Sequence, residues 1–300
     1  MISVKVPATS ANIGPGFDSI GIALNLYNII SAQETDEPLK IDILDDTKRF
    51  LPHDKKNLVY RAITAVFKEA GHTERGLHII QHNEIPVTRG LGSSSASIVG
   101  GVIAANEICK AKMSKNDMIS FASQLEGHPD NATPAMVGGF TAAVIKDNKT
   151  YWQKAEISPQ KIKFGVFIPN FILKTKKARK VLPPVVPHAD AVFNASRAAL
   201  LTAAMITENY DNLIPALDDR LHEQYRKRFI EGVDEIFELS ANLGAYGSYI
   251  SGAGPAVIAV ISADYEQAFT AGAEDAISKK FARWKFSMLC ADNCGAKIIE

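Results

Sequence analysis

The sequence predicts an α+β fold divided near residue 150 into two domains, 1–150 and 151–300. Two observations carry this. Strand-like and helix-like segments are interspersed, but they do not alternate as the regular βαβ units of a doubly wound sheet. A chain of 300 residues also reaches the size at which one hydrophobic core usually splits into two.

Taken in order, "MISVKVPA" alternates like a strand. "TSANIGPGFDSIGIAL" is a loop dense in Gly, Ser and Asn that leads into a second apolar stretch. "NLVYRAITAVFKEAG", 57–71, carries apolar residues at helical spacing and stops at Gly71. "GLHIIQHNEIP", 76–86, is a strand ended by Pro86. The run after "PVTRGLGSSSAS" is apolar and rich in small residues, which predicts a buried helix. Ser114 with Asp117 forms a capping-box start for the helix "KNDMISFASQLEG". "GHPDNATPAMVGGF" predicts a polar turn, a short helix and a glycine stop, and "FTAAVIKD" a strand. Beyond 150 come the strand "KFGVFIPN", a basic and Pro-rich connection, and two amphipathic helices within 189–209 and 229–245. "YGSYISGAGPAVIAVIS" is two strands joined by a glycine turn. A helix near 264–280 and strands near 284–290 and 295–299 complete the chain.

Hydrophobic residues make up 46% and charged residues 22%, an ordinary globular mix. Lys+Arg and Asp+Glu each number 33, so the formal net charge is zero. That balance argues against a general nucleic-acid binder, which needs a basic surplus. The three cysteines, Cys109, Cys290 and Cys294, form no CxxC pair, and their odd number does not suggest a disulfide framework. "CADNC" lacks a second Cys/His pair and reads as ordinary thiols rather than a metal site. No signal peptide and no membrane-length apolar run is visible, so a cytoplasmic protein is expected, with no membrane partner.

The segment with chemistry in it is "PVTRGLGSSSAS", 86–97. It lacks the lysine that follows the second glycine of a P-loop. Gly90 and Gly92 permit positive φ and close backbone approach. Ser93, Ser94 and Ser95 offer hydroxyls where a helix begins, and a helix start leaves backbone N–H groups free beside a partial positive charge. Together these make an anion site without lysine, in which one serine could also hold Mg²⁺. A capped, tightly packed helix accounts for the same residues equally well, so the loop alone leaves both readings open.

This loop resembles the second motif of the GHMP kinases: a Pro, a short spacer, then GLGSS. Two more segments agree in order. "PATSANIGPGFDSIGIAL" resembles the family's first motif and "YISGAGPAVIAV" its third, so the resemblance runs from Pro7 to about Val260. "SANIGPGFD", "LEGHPDNATPA", "TKKARKVLP" and "DRLHEQYR" look like the branch that phosphorylates L-homoserine for threonine synthesis. Thr133 departs from that pattern, where a small apolar residue is expected, and Lys176–Lys177 is more basic than usual. The resemblance implies a ribosomal-protein-S5-like N-terminal domain, a ferredoxin-like C-terminal domain, an active site between them, and a homodimer.

It also implies roles. MgATP would be wrapped by Pro86, Arg89, Gly90, Leu91, Gly92, Ser93, Ser94, Ser95 and Ala96. Ser94 and Glu126 would ligate the metal, since Mg²⁺ favours hard oxygens. Asn57, with Val59 and Tyr60, would meet the adenine. Homoserine is a zwitterion with a terminal hydroxyl, so its ammonium wants a carboxylate and its carboxylate a guanidinium. Asp18 is the candidate for the ammonium, with Asn12 nearby. Arg179 and Arg220 are candidates for the carboxylate, with Thr175 assisting. "DDRLHEQYR" also reads as a charged surface helix. His128, Asp130 and Asn131 are assigned to positioning the substrate, and the base is left open because a loose phosphoryl transfer gains most from positioning. "SGAGP", 251–255, is followed by a strand pattern rather than a helix, which excludes a Rossmann turn. It reads as a tight turn whose Gly252 and Gly254 offer backbone amides to the substrate. A mevalonate kinase is the enzymatic alternative, although mevalonate has no ammonium for Asp18. A non-catalytic binding protein is the other, against which Ser94 and Glu126 speak.

Overall fold

The structure, a computed structural model, describes residues 1–299. Its elements are β1 (Ile2–Ala11), β2 (Ile20–Thr35), β3 (Lys40–Ile43), α1 (Leu58–Glu69), β4 (Gly76–Asn83), α2 (Ser93–Cys109), α3 (Lys115–Glu126), α4 (Pro129–Val137), β5 (Phe140–Lys146), β6 (Lys149–Ala155), β7 (Ile162–Pro169), α5 (Thr175–Arg179), α6 (His188–Thr207), α7 (Leu213–Ala216), α8 (Glu223–Arg226), α9 (Val233–Asn242), β8 (Gly247–Ile250), β9 (Val257–Ser262), α10 (Glu266–Lys280), β10 (Trp284–Leu289) and β11 (Lys297–Ile298).

A larger sheet runs β11-β1-β2-β4-β3, with β5 on β2 and β6 on β5. The long β2 serves two neighbours. Its Ile20–Ile22 end pairs with β5, and its Asn28–Thr35 end with β4. The helices α1 and α2 pack together and α2 lies against β1 and β2, so α2 is buried along almost its whole length. That enclosure is what its small residues permit.

The second sheet is antiparallel in the order β10-β7-β9-β8. With α9 between β7 and β8 and α10 between β9 and β10, it is a βαββαβ unit of the ferredoxin-like type. Strand alternation sorts its side chains. Phe164 and Val166 of β7 and Ile258 and Val260 of β9 join the larger core, whereas Phe167, Val257, Ala259 and Ile261 face α9 and α10. Both faces are covered, which explains why "AVIAVI" is continuously apolar.

The expected boundary at 150 falls inside β6, which pairs along its length with β5, so the change of sheet comes between 155 and 162. The C-terminal half also returns to the first sheet, because β11 pairs with β1. Leu201, Ala204 and Met205 of α6 and Leu213 of α7 belong to the larger core. Among the described residues no helix is long and apolar enough to cross a membrane. Thr133 is fully buried in α4 with its hydroxyl unpartnered, a cost that the expected small apolar residue avoids.

Candidate active site

A cavity of about 340 Å³ lies where the two sheets meet. One end is built by the Gly90–Ser95 segment. The chain enters α2 through Gly92 at φ 70°, where a Cβ would stand 1.9 Å from the Thr9 hydroxyl oxygen on β1. Only glycine allows that approach. No side chain caps α2, so its first-turn amides remain available to an anion. Ser93, Ser94 and Ser95 all line the cavity. The Ser95 hydroxyl is buried and unpartnered. Ser94 Oγ donates to Glu126 Oε1 at 2.6 Å. Glu126 is the last residue of α3, where a carboxylate opposes the helix dipole. A carboxylate, a hydroxyl and an orphaned hydroxyl beside free amides fit a divalent cation carried on phosphates.

The expected loop residues do not all reach the cavity. Arg89 lines it, but its Nε is tied to the Pro169 carbonyl at 3.1 Å, so it braces the loop against β7. Leu91 and Ala96 are core residues behind the loop, and Pro86 is not part of the lining. Asn57 borders the cavity, yet its side chain is spent. It caps α1 at the Val59 amide and donates to the Pro52 carbonyl and to Gln81. Val59 is buried in the core and Tyr60 bonds Glu74, so neither meets a ligand. The apolar slot at this end is instead formed by Phe50, Leu51, Pro52, Leu58 and Val87.

The other end gathers charge. Arg179 of α5 holds Asp18 with two parallel bonds, of 2.9 and 2.5 Å. Asp18, itself at φ 55°, is placed by its own amide, which donates to Asn12 Oδ1. The Asn12 amide nitrogen in turn donates to the Gly252 carbonyl. Asp130 accepts from His128 Nδ1 and, at 3.2 Å, from Asn131 Nδ2. Burial opposes charge on His128, but the hydrogen bond and charge of Asp130, with Glu126 beyond, outweigh it and raise its pKa. His128 Nδ1 and Asp130 thus form one hydrogen-bonded pair at this end of the cavity. Thr175 lines the same end. The acid atoms of Asp18 and Asp130 and a ring nitrogen of His128 lie within 4.8 Å of one another. Asp18 is already paired with the Arg179 guanidinium and Asp130 with the His128 ring, an arrangement that suits exchange with an ammonium better than a metal.

Arg220 is not part of this constellation. It is half-exposed, bonds Asp190 at 3.3 Å and lies over the Phe193 ring. Arg226 occupies the place expected of it. The reason is local: Asp219 accepts from the amides of Leu221, His222 and Glu223, so it starts α8 and leaves Arg220 outside. The segment is therefore no surface helix, since His222, Glu223 and Arg226 are all buried. Arg226 is 1% exposed, and its contacts are neutral. It donates to the Gly252 carbonyl at 2.8 Å, to His222 Nδ1 at 3.0 Å and to the Ala178 carbonyl at 3.4 Å. His222 Nε2 is bonded to the Gly14 carbonyl, which fixes the tautomer that accepts from Arg226. Burial, then the like charge of Arg179, lowers the Arg226 pKa to about 10, so it stays a cation at neutral pH. A buried guanidinium in the cavity wall with no carboxylate partner is an anion-binding group. His222 stands at the N-cap of α8 and Arg226 at its last residue.

Gly254 is likewise outside the lining, which contains Gly252 and Ala253. The Gly252 amide bonds the Ala11 carbonyl and the Gly254 amide the Ser251 carbonyl. The turn thus offers the site a carbonyl, at Gly252, rather than the expected amides.

His222, at the N-cap of α8, and Glu223, its first residue, make stability pH-dependent in opposite senses. Burial lowers the His222 pKa to about 4, so its stabilisation is full above the unfolded value near 6.5 and is lost as pH falls towards 4. Burial, then Asp219, raises the Glu223 pKa to about 8, so its stabilisation is full below the unfolded value near 4.5 and is lost as pH rises to 8. The opposing slopes offset each other up to about 6.5. Glu223→Gln is therefore expected to flatten the fall in denaturation midpoint between pH 6.5 and 8, as urea titrations at several pH values will show.

Comparison with known proteins accords with this geometry. Residues 57–139 match the GHMP kinases N terminal domain and residues 195–277 the GHMP kinases C terminal domain. A homoserine kinase of Caldicellulosiruptor bescii is 48% identical over 100% of this chain and 97% of its own. The chain belongs to the GHMP kinase family. A homoserine kinase of Clostridium beijerinckii is 43% identical over 100% of this chain and 99% of its own. Among solved structures, homoserine kinase from Cytophaga hutchinsonii superposes with a TM-score of 0.86 at 29% identity, covering 99% of this chain and 97% of that one. L. major mevalonate kinase shares the GHMP kinase fold with a TM-score of 0.72 at 15% identity, covering 97% and 96%.

Proposed function

We infer that this GHMP kinase transfers the γ-phosphoryl group of ATP to the side-chain hydroxyl of L-homoserine, giving O-phospho-L-homoserine. One observation carries the reading: an anion-binding helix start with Ser94 and Glu126 faces, across one cavity, an Asp18–Arg179 pair and the unpaired Arg226. The first end suits a nucleotide's phosphates. The second suits a molecule that is at once ammonium and carboxylate. Full-length relatives called homoserine kinase support the same assignment.

In this reading the α2 amides and the serine hydroxyls hold the phosphates, and the apolar slot at Phe50–Pro52 receives the base. Ser94 and Glu126 would hold Mg²⁺, which neutralises charge on the transferring phosphoryl group when bound. The substrate ammonium replaces the guanidinium of Arg179 on Asp18. The guanidinium of Arg179 released by that exchange joins Arg226 in binding the substrate carboxylate. Asn131 and the His128–Asp130 pair orient the hydroxyl. A new O–P bond forms as the bond to the β-phosphate oxygen breaks, and the hydroxyl proton passes late to an oxygen of the transferred phosphoryl group or to water, as a loose transition state allows.

The test is a coupled ADP-release assay with L-homoserine, mevalonate and sugars as acceptors. L-homoserine is expected to be turned over well above the rest. Strong turnover of another alcohol without homoserine would overturn the assignment.

A further inference from the structure

We propose that Thr9 is a positioning residue for phosphoryl transfer, its hydroxyl fixing the Asn131 amide so that an N–H faces the acceptor hydroxyl. The inference rests on the function just proposed and goes beyond it. Thr9 touches no part of the cavity and belongs to none of the expected binding groups. It is fully buried on β1. Its amide donates to the Leu91 carbonyl at 3.2 Å, and its Oγ1 donates to Asn131 Oδ1 at 2.8 Å. Gly92 is packed directly on that hydroxyl, and its absent Cβ would also stand 3.2 Å from Asn131 Oδ1. One threonine thus joins the phosphate loop to the residue beside the reacting hydroxyl.

The chemistry of the amide makes this bond directional. Asn131 Nδ2 donates to Asp130 Oδ1 at 3.2 Å, and that oxygen also accepts from His128. A flipped amide would set its oxygen against a carboxylate oxygen. Asp130, which can only accept, therefore selects one orientation, and the Thr9 hydroxyl holds the amide in it. In it Asn131 has one N–H bonded to Asp130 and a second N–H left for the cavity it lines. Asn131 is then a donor to the acceptor oxygen, and it cannot take the hydroxyl proton. Its contribution is alignment of the attacking oxygen with a phosphoryl group held by a loop that rests on the same threonine.

Thr9→Ala removes the hydroxyl without crowding Gly92, and Thr9→Ser retains it. The expected result is a fall in kcat of about tenfold or more for Thr9→Ala, with the ATP dissociation constant and the KM for ATP within about twofold of the starting protein. Thr9→Ser should recover most of kcat. In an Asn131→Ala background, Thr9→Ala should cost less than about twofold, because the two residues act as one unit. Thermal melting of both Thr9 variants identifies any loss of folding, in which case the serine variant carries the comparison. An unchanged kcat in Thr9→Ala, an equal loss in Thr9→Ser, or an additive loss with Asn131→Ala overturns the proposal. If the protein phosphorylates a different alcohol, the substrate assignment fails, while the same kcat comparison run with that alcohol still decides the role of Thr9.

Discussion

Glu126→Gln is expected to lower kcat/KM for ATP by about a hundredfold or more, in the range set by losing one preorganised charge-stabilising group. The substitution is nearly isosteric, and the amide can still meet Ser94 Oγ, now 2.6 Å from the carboxylate. What it removes is the negative charge. At the end of α3 that charge opposes the helix dipole, so no structural benefit explains its presence. The loss should therefore appear in catalysis and not in stability. Raising Mg²⁺ should recover part of the activity, because a weakened ligand set still fills at higher concentration. Ser94→Ala removes a neutral oxygen and should cost less. Initial rates over a Mg²⁺ titration check both, and an effect of Glu126→Gln below about threefold would contradict the metal role.

Arg226→Met should raise the homoserine KM by about thirtyfold or more, as truncating one partner of a buried charge pair costs roughly 2–5 kcal/mol. Methionine fills the volume of the aliphatic stem, so packing is largely kept. The folded protein loses a buried cation that has no carboxylate of its own, and stability should not suffer greatly. Arg220→Met is the matched control. Its guanidinium is half-exposed on Phe193 and Asp190, away from the cavity, and its removal should leave KM within about twofold. Steady-state kinetics on the two variants distinguish the arginines directly. The reverse outcome would restore Arg220 to the substrate and remove Arg226.

That pair also shows where the sequence is informative and where it is not. Strands β7 and β9 were legible because their apolar runs are long and ended by turn residues. The phosphate loop was legible only together with the two further motifs in order, because "GLGSSSAS" alone fits a capped, tightly packed helix equally well. Asn57 carried a plain helix-cap signal, Asn directly before an apolar periodic run, and the cap is what the structure uses it for. Charged residues ordinarily sit in water, so "DDRLHEQYR" reads as surface. Its burial depends on Asp219 gathering three amides, on Gly14 receiving His222 and on Gly252 receiving Arg226. Asp219 is local, but Gly14 and Gly252 lie far away in sequence, and no local pattern announces them. The return of β11 to β1 is equally a tertiary event, since a two-residue pairing has almost no periodicity of its own.

The central claim is that the acceptor end is built for a zwitterion, with Asp18 matched to an ammonium and Arg179 and Arg226 to a carboxylate. The most direct measurement is the ratio of kcat/KM for L-homoserine to that for 4-hydroxybutyrate, which differs only in lacking the ammonium group. With the analogue Asp18 keeps Arg179, which is then lost to the substrate carboxylate, so a ratio of about 10²-fold or more is expected. A ratio near one would show that Asp18 does not meet the substrate, and would contradict the account.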